Sequence, residues 1–165
     1  MKPGLMAFLA SSLLVVQVCA GQEPPTTTDK NNMSYSIGVS IGKHWEAKKA
    51  LLDSDIVAKG LRDGMTEAKA TLSDQEMSQL AEDFKTSKLK NQSDAFLATN
   101  KVKISYMTGL DIGKTMLPQK ANLDPDFVAK GFKDGITGGQ TAMTDEEMRQ
   151  WIDKFKAKRV KTESK

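Results

Sequence analysis

Few side chains in this sequence could carry out catalysis or bind a metal, and their spacing does not bring them together. The chain has one histidine, His44, and no second ligand stands near it at the spacing of a metal site. A Ser-His-Asp arrangement would have to rely on this same histidine. We therefore expect His44 to be exposed or stacked on Trp45, and we predict no metal, no cofactor and no catalytic residue.

The carboxylates could also supply acid–base chemistry, but each has a simpler role as a helix cap or a surface partner of a lysine or arginine. Asp53, Asp55 and Asp63 belong to a segment that returns later in the chain. The later match of Asp53 is Asp124, which Pro125 follows. Because proline at the first helical position favours a helix start, the sequence predicts that Asp53 and Asp124 are N-caps.

An internal repeat organises the chain and must position these groups. Three segments return at one offset of about 71 residues, which indicates a duplication. The first pair reads SYSIGVSIGK and SYMTGLDIGK, and the second reads DSDIVAKGLRDG and DPDFVAKGFKDG. The matched pairs are residues 34–43 with 105–114, 53–64 with 124–135, and 74–77 with 145–148.

Each copy predicts two short helices and a third, longer one, and no segment alternates with a period of two. The fold class is therefore all-α, with two tandem three-helix units. Glycines four residues apart recur in the first two helices of both copies. Since an interior glycine costs a helix about 1 kcal/mol relative to alanine, we expect close packing against another backbone. The predicted packing and dimerisation residues are Ile37, Gly38, Ile41, Gly42, Gly60, Gly64, Gly109, Ile112, Gly113, Gly131 and Gly135.

The third helix of each copy begins with a capping box, Ser73 with Glu76 and Thr144 with Glu147. Residues 85–94 then form a polar segment, which is an exposed helical stalk or a linker. The absence of proline and glycine favours the stalk. A unit of about 50 residues buries little surface alone. We therefore expect the two units to stack, within one chain or between chains.

Methionines recur in and near the apolar stripes, and most of them are expected to fill the core. Flexible thioethers on an open groove could also accept varied apolar partners. The candidate client-binding residues are Met65, Met77 and Met148.

The N-terminus predicts a signal peptide. Lys2 precedes an apolar run that is too short to span a bilayer, and small or modest residues then lead to cleavage after Ala20. Lipidation of Cys19 is the alternative. The net charge is only +3, and no aromatic residues interleave with the lysines of the tail, so nucleic acid is not an expected partner. The predicted organisation is 1–20 signal peptide, 21–32 disordered spacer, 33–101 first unit with its stalk, 102–160 second unit, and 161–165 basic tail.

These residues resemble the N-terminal domain of FKBP-type peptidyl-prolyl isomerases, and above all the macrophage infectivity potentiator group of exported bacterial isomerases. The likeness rests on residues 33–43, 58–65 and 72–77, and the second copy is similar to the same domain again. In that family two short helices and a long stalk helix form a dimerisation module, which a catalytic domain follows. Here residues 95–101 resemble the end of the stalk, yet a second helical copy comes next.

The resemblance implies a role in protein folding and export to the periplasm or cell surface of a Gram-negative bacterium. It implies no isomerase site, because the family's catalytic domain needs roughly 100 residues of mostly β-sheet that this sequence does not predict. We expect a non-catalytic module that pairs with itself, as a homodimer or an intrachain pseudo-dimer, or that holds unfolded proteins. The alternatives are an adaptor that forms mixed dimers with a full-length FKBP-type isomerase, and an isomerase with an unrecognised site.

Overall fold

Seven α-helices form the part of the chain that the structure describes. The computed structural model describes the backbone of residues 27–163 and the side chains of residues 27–157. No residue of 27–163 lies in a strand, so the all-α prediction is confirmed. Short 3-10 helices, Glu46–Leu51 and Leu117–Gln119, follow the first and fifth α-helices. The α-helices are α1 (Thr27–Trp45), α2 (Ser54–Thr66), α3 (Asp74–Leu89), α4 (Ser93–Thr99), α5 (Lys101–Met116), α6 (Pro125–Thr137) and α7 (Asp145–Glu163).

The second helix of each copy begins at the aspartate that the sequence predicts. The Asp53 carboxylate accepts hydrogen bonds from the backbone N–H groups of Asp55, at 3.0 Å, and Ile56. Asp124 accepts the corresponding two bonds at the start of α6, where Pro125 is the first helical residue. Both N-cap predictions are therefore confirmed.

The third helix of each copy begins with its capping box. The Ser73 hydroxyl accepts a hydrogen bond from the Glu76 N–H, and the Glu76 carboxylate accepts one from the Ser73 N–H. Thr144 and Glu147 repeat this exchange. Because the backbone donors favour the ionised carboxylate, the pKa values of Glu76 and Glu147 lie below their ordinary range.

The first helix begins earlier than the sequence indicates, since part of the predicted spacer 21–32 is helical from Thr27 onwards. Its polar residues have no apolar period of their own. The apolar residues from Met33 onwards fix the helix on the core, and each further turn then adds a hydrogen bond at little cost. Residues 21–26, the predicted signal peptide with Cys19, and residues 164–165 lie outside the described range.

The predicted stalk is not one continuous helix. The third helix ends at Leu89, and Asn91 adopts a left-handed conformation with φ of 54°. Asparagine tolerates this conformation better than most residues. The chain then turns back, and the Phe96 ring of α4 lies 5.9 Å from the Phe84 ring of α3, centroid to centroid. A helix with a polar surface and no apolar stripe has nothing to pack on. The chain therefore turns and forms this contact instead of continuing as one long helix.

The most extensive helix pairs join one copy to the other. Helix α1 lies against α6, and α2 lies against α5. Helices α2 and α6 also pack on each other at the centre, and α7 packs on α1. No two α-helices of the same copy contact each other as extensively as these pairs do. The two units therefore complete each other within a single chain.

One central cluster forms the core between the copies. Leu61 and Phe132, which are equivalent residues of the two copies, are both fully buried in it. Val57 and Val128, another equivalent pair, are also fully buried there. A smaller cluster beneath α7 contains Tyr35, Val39 and Met148, and another beneath α3 contains Leu72, Tyr106 and Leu110.

Candidate functional site at the paired copies

The glycines of α1 lie directly against the backbone of α6. A Cβ atom built on Gly38 would stand 2.2 Å from the carbonyl oxygen of Val128. In the opposite direction, a Cβ atom on Gly131 would stand 2.2 Å from the carbonyl oxygen of Tyr35. No real Cβ atom comes this close to a backbone oxygen, so only glycine permits this separation of the two helices.

The same crossing occurs a second time between α2 and α5. A Cβ atom on Gly60 would stand 2.3 Å from the carbonyl oxygen of Tyr106, and one on Gly109 would stand 2.0 Å from that of Val57. The remaining glycines of the two crossings are Gly42, Gly64, Gly113 and Gly135. The predicted packing residues Ile37, Ile41 and Ile112 are partly buried against the central core.

A tyrosine connects each crossing to a loop of the other copy. The Tyr35 hydroxyl of α1 donates to Oδ2 of Asp134 in α6 at 2.7 Å and accepts from the backbone N–H of Ala142 at 2.8 Å. Tyr106 makes the equivalent bonds to Asp63 and to the N–H of Thr71, both at 2.8 Å. Each tyrosine therefore ties its own helix to two parts of the opposite copy.

Lysines complete these tyrosine contacts. Lys130 Nζ lies 2.8 Å from Oδ2 of Asp134 and 4.8 Å from the centre of the Tyr35 ring. Burial, together with the Asp134 carboxylate, raises the pKa of Tyr35, so its hydroxyl keeps its proton. The hydrogen bond to Asp134 raises the pKa of Lys130. These groups are arranged as a neutral donor, an anion and a cation, which suits a structural contact.

Two further pairs of contacts repeat across the copies. The Ser34 hydroxyl accepts from the N–H of Asp124 at 2.8 Å, and Ser105 does the same for Asp53. These serines fix the N-cap residues of the opposite copy. On the outside, Arg62 lies 3.0 Å from Asp126, and the equivalent Lys133 lies 2.6 Å from Asp55; all four side chains are largely exposed.

Two grooves of similar size flank the paired helices, and they differ in chemistry. The groove between α3 and α5 has a volume of about 300 Å³, and its lining is mostly apolar. The groove between α1 and α7 has a volume of about 310 Å³, but seven of the ten residues that line it are serines or charged residues. We call them the apolar groove and the polar groove. The apolar groove is lined by Leu80, Ala81, Phe84, Lys85, Leu97, Ile104, Met107, Thr108 and Asp111.

The sequence candidates for chemistry are not brought together. His44 is exposed at the end of α1, and no group of three metal-ligating residues occurs among the described residues. Residues 38–42 fit the pattern G-x-S-x-G, but Ser40 lies inside α1 and not on a strand-to-helix turn. The arrangement can hold two helical units together, and its apolar groove can accept an apolar group.

Comparison with known proteins agrees with this repeated geometry. The model of the domain amino-terminal to FKBP-type peptidyl-prolyl isomerases matches the chain twice, over residues 30–104 and 101–165. The chain belongs to this family. The duplication in the sequence is therefore a duplication of one FKBP N-terminal domain.

Two curated relatives match one such domain. The outer membrane protein MIP of Legionella longbeachae is 42% identical over 59 residues, which is 36% of this chain and 25% of that protein. The peptidyl-prolyl cis-trans isomerase Mip of Coxiella burnetii is 36% identical over 59 residues, or 36% of this chain and 26% of that protein. These matches cover about a quarter of either relative. No solved structure matches the chain.

The candidate client-binding methionines of the two FKBP N-terminal domains differ in how far they are exposed. Met65 is 1% exposed and Met148 is 4% exposed, so both thioethers lie inside the protein. Met77 is partly buried beside Tyr106 and Leu110.

The residues that sequence reasoning missed are those of the apolar groove, above all Leu80, Phe84 and Met107. Their residue types and helical spacing predict an apolar face, but which of them border a groove depends on how α3 and α5 pack. Leu80 is buried there, and Phe84 and Met107 are partly buried. No helix among the described residues is long and apolar enough to cross a membrane.

Proposed function

We propose that this protein is an exported, non-catalytic helical module that acts in protein folding by holding unfolded polypeptides. Its two FKBP N-terminal domains pair within one chain as a pseudo-dimer. One observation carries the proposal: every predicted glycine notch of one copy is filled by the backbone of the other. The protein thus has a complete pairing surface of its own and an open apolar groove beside it.

Self-pairing within the chain is favoured by the short connection between the copies. A covalent link that lets the two copies meet gives effective concentrations on the order of millimolar. A second chain would have to exceed this local concentration to take the place of the attached copy. We therefore expect the folded protein to be a monomer at micromolar concentrations.

A role without turnover is supported by the structural use of several carboxylates. The carboxylates of Asp53 and Asp124 cap helices, and those of Asp63 and Asp134 bind tyrosines of the opposite copy. All four carboxylates therefore have structural partners. Both family matches, moreover, are to the domain that precedes the isomerase and not to the isomerase itself.

Export is part of the proposal, because the first residues have the pattern of a signal peptide. Cleavage is predicted after Ala20, and the relative from Legionella longbeachae is named an outer membrane protein, which also supports export. The periplasm or the cell surface of a Gram-negative bacterium is the proposed location, and lipidation of Cys19 remains the alternative attachment.

An adaptor that forms mixed dimers with a full-length FKBP-type isomerase is the second candidate. The repeated contacts favour it, because Tyr35 with Asp134 and Tyr106 with Asp63 are the same contact made twice. A relative with one such domain would offer the same partners to either copy. The attached copy already holds these partners, so we rank this function second.

Three measurements on the purified protein test the proposal. Sedimentation should give a monomer that unfolds cooperatively, and the protein should suppress the aggregation of lactalbumin whose disulfides have been reduced. A proline-isomerisation assay on a model peptide should give the uncatalysed rate. An obligate dimer would argue against the pseudo-dimer, and catalysis would establish the isomerase alternative. Co-purification with a full-length isomerase would instead support the adaptor.

A further inference from the structure

We infer that the apolar groove between α3 and α5 is the site where this protein binds a client, and that α4 restricts access to it. The inference rests on the proposed client-holding function. It adds where the client binds, which class of ligand it is, and how access to the site is controlled. The ligand is a segment of unfolded polypeptide that presents bulky apolar side chains, such as phenylalanine or leucine.

The lining of the apolar groove sets this ligand class. Leu80 and Phe84 of α3 face Ile104 and Met107 of α5 across a volume of about 300 Å³. This volume is at the lower end of ligand pockets, and it suits one or two bulky side chains. Apolar surface left in contact with water gains free energy when an apolar group covers it. The methionine thioether also adapts to side chains of different shape.

The short helix α4 packs apolar side chains against this groove. Its Leu97 lines the groove, and its Phe96 ring lies 5.9 Å from the ring of Phe84. An aromatic and an aliphatic residue on one helical turn therefore lie against the groove wall. A client segment of the same chemistry would continue this contact along α3 and α5.

Few interactions hold α4 in place. It has seven residues, none of them buried, and no side chain caps its N-terminus. Helices of this length are marginal alone, and segments with few buried contacts open at low free energy. The junctions at its two ends carry exposed apolar side chains, Leu89 at 86% and Val102 at 59%. Release of α4 would uncover the Phe84 side of the groove.

The polar groove is a matched control within the same molecule. It has nearly the same volume and lies at the equivalent place between α7 and α1. Ser36 and Ser40 stand where Met107 and Asp111 stand in the apolar groove, and Arg149 and Asp153 add charge. A hydrophobic client segment gains little there, because charged groups would lose water without a partner.

Binding should be measured on the full chain with reduced, carboxymethylated lactalbumin as the probe. Methyl NMR of methionines reports the location, since Met107 lines the apolar groove and Met148 lines the polar groove. We expect the Met107 methyl signal to shift on addition of the probe while the Met148 signal stays. A shift of Met148 with no shift of Met107 would overturn the inference.

Substitutions in the apolar groove and in α4 should change probe binding in opposite directions. Ala81→Trp fills the apolar groove and should weaken probe binding at least about tenfold, whereas Ser40→Trp, the same change in the polar groove, should leave it unchanged. Phe96→Ala loosens α4 and should strengthen binding. If the wild-type protein binds the probe and Ala81→Trp binds it equally well, the groove assignment is wrong while the proposed function stands. A wild-type protein that binds no probe would instead remove the proposed function.

Discussion

The phenolic oxygen of Tyr35 and Oδ2 of Asp134 lie 2.7 Å apart and join the first helix of one copy to the second helix of the other. The same hydroxyl accepts a hydrogen bond from the N–H of Ala142, so one buried side chain connects α1 with α6 and with the loop before α7. Tyr106 has the equivalent role with Asp63 and Thr71. The two tyrosines are therefore the clearest places to test how the copies hold each other.

Replacing Tyr35 with phenylalanine removes one hydroxyl and leaves the ring. Asp134 then keeps only Lys130 as a partner, and the N–H of Ala142 loses its acceptor in a partly buried setting, which typically costs about 1–3 kcal/mol. We expect the free energy of unfolding to fall by that amount in urea titrations. Tyr106→Phe should give a loss of similar size, because its contacts are equivalent. A variant as stable as wild type would show that the contact adds nothing.

Replacing Gly38 with alanine places a methyl group 2.2 Å from the carbonyl oxygen of Val128. The helices must move apart, and overpacking of a close contact typically costs about 1–3 kcal/mol. We expect a lower midpoint of thermal unfolding, and a similar loss for Gly109→Ala in the second crossing. Gly139→Ala is the control, since the nearest atom to a Cβ there is 3.6 Å away. It should leave the midpoint within about a degree or two.

The protein should lose stability at alkaline pH. The folded state raises the pKa values of both Tyr35 and Lys130. A group with a raised pKa stabilises the fold fully below its unfolded value, near pH 10 for these residues, and that contribution is lost as the pH rises through the folded value. The free energy of unfolding should therefore fall above about pH 10.

The variant Tyr35→Phe provides the control for this pH dependence. It should show a shallower decline above that pH, because one of the two titrating groups is gone. A decline of equal slope in the variant and in wild type would assign the alkaline loss to other residues.

A cut in the connector should leave the protein in one piece. The major helix pairs join residues before Leu89 to residues after Ser93, so the connector carries little of the packing. We expect a variant with a protease site in place of Asn91 to elute as one particle after cleavage. The two fragments should separate only in denaturant. Separation in buffer would mean that the connector, and not the crossings, holds the copies together.

Most of the local structure could be predicted from the sequence because it depends on neighbours in the chain. The N-caps at Asp53 and Asp124 and the capping boxes follow from residue types at fixed spacing. The glycine pairs likewise predict close contact with another backbone. The pattern did not identify that backbone, since Gly38 would fit α2 of its own copy as well as α6 by spacing alone.

The remaining features depend on contacts between distant residues. Asn91 ends the stalk although no proline or glycine marks the place, because Phe96 can turn back onto Phe84. Met65, Met107 and Met148 all lie on apolar helix faces, yet only the packed structure shows that Met65 and Met148 are almost fully buried whereas Met107 is partly buried and lines the apolar groove. The apolar groove follows from the same long-range arrangement.

The pairing of two copies on one chain also changes what a substitution does. In a symmetric dimer of identical chains, each changed residue appears on both sides of the two-fold axis. Here Ala81 and its counterpart Ile152 are separate positions in one gene product, and so are Met107 and Ser36. One flank can therefore change its shape and polarity while the other keeps its original form. A two-chain dimer of identical subunits has no access to this kind of divergence.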